Sequence, residues 1–290
     1  MMHATLAFDG RLQLGEGPIW DDGRRRLLFV DIMRGLVHEF DPVTRRDRVI
    51  DVGEPVGTVA PTTRGDWVIA TMRGFFRLDP ETGRTTEIAL VEADRDNTRM
   101  NDGYVDSRGR LWAGTMGMDK VPHRGALYRL DPDGSVHQML TDVTTSNGID
   151  WSPDDALMYY VDTGSPRIDV FDFDVEAGQI ANRRTFVEIP AGAGKPDGLV
   201  VDAEGAIWLA LWNGSAVHRY TPDGLLDRTI SVPTSLTTKP AFGGPALEDL
   251  YITSAWTALS DQQRAAQPHA GGVFHVRPGV RGKAAHRFAG

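Results

Sequence analysis

The sequence contains no cysteine, which excludes disulfides, thiol nucleophiles and cysteine-ligated metal sites. It also lacks a long apolar segment. The longest run extends from Ala206 to Trp212 and has seven residues, whereas a membrane-spanning helix needs roughly 18. The first residues have neither the basic nor the apolar region of a signal peptide, so we expect no leader. These absences predict a cytoplasmic protein with no membrane partner.

Basic residues are outnumbered by acidic ones. The chain has 31 Lys and Arg against 40 Asp and Glu, a net charge of −9. Nucleic acids and anionic membranes attract basic surfaces, so neither is expected as a partner. Glycine, by contrast, is abundant, with 32 residues in a chain of 290, above the usual share of about 7%. We therefore expect a turn-rich globular protein. Its expected partner is a small molecule, and the chain is expected to be a monomer or a small homo-oligomer.

Short apolar runs rich in β-forming residues recur along the whole chain. Their first residues are separated by 40, 44, 47, 49 and 43 positions. Runs this short, bounded by turn residues, are typical of buried strands. The six runs begin at Leu27, Trp67, Leu111, Met158, Ile207 and Leu250.

Each apolar run is flanked by further strand signals. One short strand precedes it, and an alternating segment follows it, as in Phe76-Arg77-Leu78-Asp79. Turns such as Asp79-Pro80-Glu81-Thr82-Gly83 close these segments, and a fourth strand often follows. Six units of about four strands predict an all-β fold, a six-bladed β-propeller with a central channel, as one domain over residues 1–290. The only helix-like stretch covers residues 260–266.

Two structural alternatives remain open at this point. Two β-sandwich domains would also use short strands and frequent turns, although the regular spacing of six units favours one ring. The ring itself could be closed by a strand at Thr5–Phe8 or by the C-terminal segment His286-Arg287-Phe288.

Four blades place an oxygen-bearing side chain at the same position relative to the buried run. Counting back ten or eleven residues reaches Glu16, Asn101, Asn147 and Asp197. A single Asn-Gly or Asp-Gly pair is an ordinary turn dipeptide. In a propeller, however, the innermost strand of each blade lines the channel. Four such side chains at equivalent positions should therefore converge there. Two buried carboxylates among them would repel each other without a cation. Oxygen ligands without cysteine suit a hard divalent ion, so we expect a metal in the channel.

Motifs of other enzyme classes are absent. The sequence has no Gly-rich phosphate loop ending in Lys-Ser or Lys-Thr, no His-Glu-x-x-His and no Gly-x-Ser-x-Gly.

Several stretches resemble the senescence marker protein/regucalcin/gluconolactonase family over nearly the whole chain. They are Gly15-Glu16-Gly17-Pro18-Ile19-Trp20, Arg99-Met100-Asn101-Asp102-Gly103, Trp112-Ala113-Gly114-Thr115-Met116, Ser146-Asn147-Gly148-Ile149-Asp150-Trp151 and Lys195-Pro196-Asp197-Gly198-Leu199. The resemblance implies a six-bladed propeller with one divalent metal in its channel.

The resemblance also implies roles for individual residues. Glu16, Asn147 and Asp197 would bind the metal, and Arg99 and Asn101 would contact the substrate. A third substrate contact falls on Asp119, where the family often has a longer Glu, so substrate preference is expected to differ.

The expected activity is hydrolysis of a sugar lactone to the sugar acid. A divalent metal would polarise the carbonyl, and Asp197 is the expected base for the attacking water. The residues do not distinguish calcium, zinc, manganese and magnesium. Two further functions stay open: hydrolysis of organophosphates or aryl esters at the same site, and a non-catalytic, calcium-binding propeller.

Overall fold

The computed structural model describes residues 2–119 and 121–290, in which strands dominate and helix is scarce. One 3-10 turn covers Ile32–Arg34, and one short helix, α1, covers Asp261–Ala266. Ser260 begins α1 by accepting a hydrogen bond from the backbone nitrogen of Gln263, whose side chain returns one to the nitrogen of Ser260. The helix-like stretch predicted at 260–266 is thus confirmed.

The strands form six sheets. The first thirteen strands are β1 (Met2–His3), β2 (Thr5–Phe8), β3 (Gly15–Asp21), β4 (Arg26–Asp31), β5 (Leu36–Asp41), β6 (Arg46–Asp51), β7 (Val56–Pro61), β8 (Trp67–Thr71), β9 (Gly74–Leu78), β10 (Thr85–Leu90), β11 (Thr98–Val105), β12 (Leu111–Gly117) and β13 (Gly125–Leu130). The remaining strands are β14 (Val136–Val143), β15 (Ser146–Trp151), β16 (Leu157–Asp162), β17 (Arg167–Asp174), β18 (Gln179–Glu188), β19 (Lys195–Val201), β20 (Ile207–Trp212), β21 (Ala216–Tyr220), β22 (Leu226–Ser231), β23 (Thr237–Gly243), β24 (Asp249–Ser254) and β25 (Val273–Val276).

Each sheet is one blade of a ring. Blades one to four are the antiparallel sheets β3–β6, β7–β10, β11–β14 and β15–β18, and blade five contains β19–β22. Blade six contains β23–β25 and β2. The innermost strand of every blade contacts that of the next, and β23 contacts β3, which closes the ring. The six-bladed propeller is confirmed, and the alternative of two β-sandwich domains is wrong.

The N-terminal segment joins the last two blades. Strand β2 pairs with β25, placing Leu6 opposite Phe274, while β1 lies parallel to β22 in blade five. The C-terminal segment His286-Arg287-Phe288 adds no strand to any of the six sheets among the described residues, and Phe288 forms an isolated bridge with Thr62 of blade two. The N-terminal strand therefore closes the ring, as one of the two sequence alternatives predicted.

A repeated pair of side chains secures the hairpins of blades three and five. Asp106 accepts a hydrogen bond from the indole nitrogen of Trp112 at 2.9 Å, and Asp202 accepts one from Trp208 at the same distance. The other oxygen of each Asp receives backbone N–H groups of its own loop. A buried carboxylate with several donors tightens the loop and anchors the buried Trp. The Asp at the start of each loop is thus needed by the hairpin.

Candidate active site

A β-bulge lies in the innermost strand of every blade, near the end where that strand begins. The pairing with the second strand is interrupted after Glu16, around Asn101, around Asn147 and around Asp197. Blades two and six have the same interruption. A bulge bends the strand and re-aims side chains that alternation would send elsewhere. The four equivalent positions predicted from the sequence therefore lie at β-bulges, which direct their side chains toward the channel.

Glycines beside the bulges allow neighbouring innermost strands to approach closely. A Cβ on Gly148 would lie 2.6 Å from the nitrogen of Leu199, and one on Gly198 would lie 2.4 Å from the side chain of Lys239. Any larger residue would push the strands apart. The Asn-Gly and Asp-Gly pairs, which elsewhere mark turns, here belong to strands packed around the channel.

The bulged residues open into a cavity of about 330 Å³ at this end of the ring. Five of the six predicted site residues line it: Glu16, Arg99, Asn101, Asn147 and Asp197. The other lining residues are Leu14, Met116, Thr144, Thr145, Thr163, Gly164, Lys195 and Trp212.

The three predicted metal ligands are buried together at this cavity. Glu16, Asn147 and Asp197 are each 4% exposed. The amide nitrogen of Asn147 donates to Asp197 Oδ1 at 2.5 Å and to the hydroxyl of Thr163 at 3.0 Å. Within the described part of the chain, the amide oxygen of Asn147 is buried and has no hydrogen-bond partner. An oxygen with unsatisfied lone pairs thus lies beside two carboxylates.

Burial disfavours the charged form of both Glu16 and Asp197. It raises the pKa of Glu16 to about 8, and the negative charge of Asp102 adds to the shift. Burial also raises the pKa of Asp197 well above its usual range, and the charge of Glu16 contributes. A cation between the two groups would offset both effects, because it favours the charged form of each.

These residues fit a hard divalent cation. Two carboxylates balance a double positive charge, and the unpartnered oxygen of Asn147 supplies a neutral third ligand. Residues 2–119 and 121–290 contain no group of three or more His, Cys, Asp or Glu side chains placed to hold a metal. An amide in the third position agrees with that result. Glu16, Asn147 and Asp197 would hold the ion.

Arg99 lies in the cavity wall, held by its neighbours. It is 6% exposed, and its Nη1 donates to Asn101 Oδ1 at 2.8 Å and to the carbonyl of Met100 at 2.9 Å. Burial lowers the pKa of Arg99 to about 10. The amide nitrogen of Asn101 donates to the carbonyl of Ser146 at 2.8 Å. Asn101 therefore positions Arg99, and its direct contact with substrate stays a prediction.

Asp119 lies apart from this group. It is exposed, pairs with Arg124 at 3.0 Å and accepts a hydrogen bond from the amide of Asn97 at 3.2 Å. It is not among the residues that line the cavity. Its role in substrate binding stays a prediction, and any such contact requires the loop to give up the pair with Arg124.

Sequence reasoning missed several cavity residues. Thr163 follows β16, and Trp212 ends β20. The second strand of a blade is antiparallel to the first, so its last residues lie beside the first residues of the innermost strand. The residues at the ends of the six apolar runs could therefore have been predicted to line the cavity.

A buried ion pair lies within the channel as well. Lys239, from the bulge of blade six, places its ammonium 2.5 Å from Asp102 Oδ1. Their side chains are 1% and 0% exposed. The positive charge of Lys239 acts to lower the pKa of both Glu16 and Asp197. The sequence pattern alone gave Lys239 no role.

The metal-free protein should lose stability as pH rises from about 4.5 to 8. Over that interval the unfolded chain has released the Glu16 proton, whereas the folded chain retains it. Stability falls with pH wherever the folded state binds more protons. We expect the Tm measured in chelator to fall by several degrees across this pH range, and the Tm of Glu16→Gln to depend less on pH. An unchanged slope in that variant would contradict the assignment.

Known proteins resemble this chain along almost its full length. The family described as SMP-30/Gluconolactonase/LRE-like region matches residues 14–256. Regucalcin of Xenopus laevis is 38% identical over 285 residues, which cover 96% of this chain and 95% of that protein. Regucalcin of Homo sapiens is 38% identical over 283 residues, 95% of each chain.

A solved structure agrees in fold. Regucalcin from Agrobacterium tumefaciens, described as a calcium-binding protein, superimposes with a TM-score of 0.95 at 32% identity, covering 99% of this chain and 97% of that one. In the described residues, α1 is far too short to cross a bilayer, and no other helix has the length and hydrophobicity to do so.

Proposed function

The chain belongs to the SMP-30/gluconolactonase/LRE-like family, and we propose that it is a metal-dependent lactonase that opens a sugar lactone to the sugar acid. The observation that carries the proposal is the unpartnered, buried oxygen of Asn147, which lines the same polar cavity as two buried carboxylates. Such a set has a chemical purpose only with a cation and a reacting ligand.

The reaction needs a nucleophile, a base and a proton for the leaving oxygen. Water adds to the lactone carbonyl carbon, the ring C–O bond breaks, and the ring oxygen takes a proton. A divalent cation bound by Glu16, Asn147 and Asp197 would supply Lewis-acid activation of the carbonyl and of water. Asn147 holds Asp197 through Oδ1, so Asp197 Oδ2 is the group that takes the water proton and returns it to the ring oxygen. The carboxylic acid formed then releases one proton.

The cavity favours a polyhydroxylated ring as substrate. Its volume of about 330 Å³ is at the small end for ligand sites and suits a single sugar ring. Arg99 offers a fixed fork of donors, and the side chains of Thr144 and Thr145 offer hydroxyls. A phosphotriester or an aryl ester would leave these polar groups unpaired, at a cost in affinity.

Proton release on a panel of aldonolactones tests the proposal. The purified protein is stripped with chelator and assayed alone and after addition of calcium, zinc, manganese or magnesium. We expect no activity in chelator and recovery with at least one metal. Full activity in chelator would overturn the metal dependence, and no hydrolysis of any lactone with any metal would overturn the lactonase assignment.

Arg99→Ala should weaken recognition of ring hydroxyls. We expect kcat/KM on a polyhydroxylated lactone to fall. The lost transition-state stabilisation should be roughly 1–3 kcal/mol, the cost of losing charged hydrogen bonds. The loss on an unsubstituted lactone should be much smaller, and metal affinity, measured by titration, should hardly change. Equal losses on the two lactones would show that Arg99 serves the chemistry or the fold.

A further inference from the structure

Lys195 is a cation at the edge of the cavity with no assigned role. It is the first residue of β19, two positions before Asp197, and its Cα lies opposite that of Trp212. Its side chain is exposed, and it makes no ion pair or hydrogen bond with any residue that the structure describes. Only four lysines occur in the chain, and Lys239 and Lys283 are both ion-paired with aspartates.

The charges that line the cavity become unbalanced once the site is loaded. Glu16, Arg99, Lys195 and Asp197 are the ionisable residues of the lining. A divalent cation would balance the two carboxylates and leave the two cationic side chains uncompensated. The protein as a whole has a net charge of −9, so a positive cavity runs against the charge of its surface. A concave site of one sign concentrates ligands of the opposite sign.

Resting on the proposed function, we propose that the substrate is a lactone with a second, anionic group, a carboxylate or a phosphate, which Lys195 binds at the cavity mouth. The carboxylate produced by ring opening forms at the reacting end, beside Asp197. Lys195 lies at the rim, so it recognises a group at the far end of the sugar. An ammonium on a flexible stem acts as a point charge and serves either anion.

Arg99 and Lys195 have separate tasks in this arrangement. Arg99 is buried and held by Asn101 and the carbonyl of Met100, so it faces the ring at a fixed position. Lys195 has no such restraint and remains free to pair with an incoming ligand. The proposal therefore assigns ring recognition to Arg99 and selection for charge to Lys195.

The test compares three lactones with the same five-membered ring: neutral glucono-γ-lactone, glucaro-γ-lactone with its free carboxylate, and glucono-γ-lactone phosphorylated at its terminal hydroxyl. Each is assayed with the metal-loaded parent, Lys195→Gln and Lys195→Arg, at low and high salt. In Lys195→Gln, the kcat/KM of the charged substrates relative to the neutral one should fall about tenfold at low salt, the effect of one partly exposed charge pair. Lys195→Arg should keep most of the preference, and high salt should weaken it in the parent.

Arg45→Gln is the matched control. Arg45 is equally exposed and unpaired within residues 2–119 and 121–290, but it lies in the turn between β5 and β6, at the opposite end of its blade from Glu16. It changes the net charge by the same amount and should leave all three rates unchanged. Loss of the charge preference in this control would attribute it to the overall charge and overturn the proposal.

The remaining outcomes separate the two hypotheses. Preference for the neutral lactone in the parent, or equal losses on all three lactones in Lys195→Gln, would overturn the role of Lys195. A preference for only one anion identifies the carboxylate or the phosphate as the recognised group. If the parent hydrolyses no lactone, the proposed function fails. Calorimetry of glucarate binding to the parent and Lys195→Gln then decides the anion site alone, and equal affinities would overturn it.

Discussion

Replacing Asp197 with Asn should lower kcat/KM on a lactone by about a hundred- to ten-thousand-fold, the range for loss of a general base. Metal affinity should also fall, since one of two anionic ligands becomes neutral. The fold should survive, because Asn retains an oxygen for the hydrogen bond from Asn147. It also resembles the neutral form that burial favours for this carboxyl, whose pKa is raised well above its usual range. Calorimetric metal titration and proton-release kinetics measure the two effects.

A control keeps the Asp197 result interpretable. Asp133→Asn removes a carboxylate from an exposed turn and should leave metal affinity and rate unchanged. The Tm of metal-free Asp197→Asn should equal or exceed that of the parent, since the variant has no charge to bury. Full activity of Asp197→Asn after metal removal would contradict the assignment as a metal-dependent hydrolase.

Replacing Lys239 with Met should destabilise the protein by about 3–5 kcal/mol, the cost of leaving a buried charge unpaired. Asp102 has a fully buried side chain, and its Oδ2 already has no partner in the part of the chain that the structure describes. The ammonium of Lys239 also lies over the ring of Tyr104, 5.4 Å from its centroid, so the variant loses this cation–π contact as well. Urea unfolding of the metal-free protein gives the free-energy difference.

The double variant Lys239→Met/Asp102→Asn distinguishes the unpaired charge of Asp102 from the lost contact with Tyr104. Removing both members of a buried pair is often close to neutral, so the double variant should recover most of the lost stability. A single Lys239→Met variant as stable as the parent would contradict the assignment. A double variant no more stable than the single one would show that the lost contact with Tyr104, and not the charge of Asp102, dominates.

Local sequence determined the architecture. Strand period, turn chemistry and the spacing of apolar runs are short-range properties, and six equal units can bury their faces only against one another, so the propeller follows from them. The same spacing placed Glu16, Asn101, Asn147 and Asp197 together, because equivalent positions of equivalent blades meet at the axis. The roles of Glu16, Asn147 and Asp197 as ligands came from family resemblance, since Asn-Gly and Asp-Gly steps alone do not separate a bulge from a turn.

Tertiary structure decided which partner each side chain meets. The resemblance implied a substrate contact for Asn101, but only the folded ring brings its amide nitrogen within 2.8 Å of the carbonyl of Ser146 in the next blade. The resemblance implied a substrate contact for Asp119 as well, yet Asp119 pairs with Arg124 of its own loop. Lys239 meets Asp102 across 137 positions of chain. Contacts between blades, such as those of Asn101 and Lys239, depend on how the blades are packed around the axis, and no local pattern encodes that geometry. Periodicity therefore determined the ring and its register, whereas the charge balance of the channel emerged only when distant blades were packed around it.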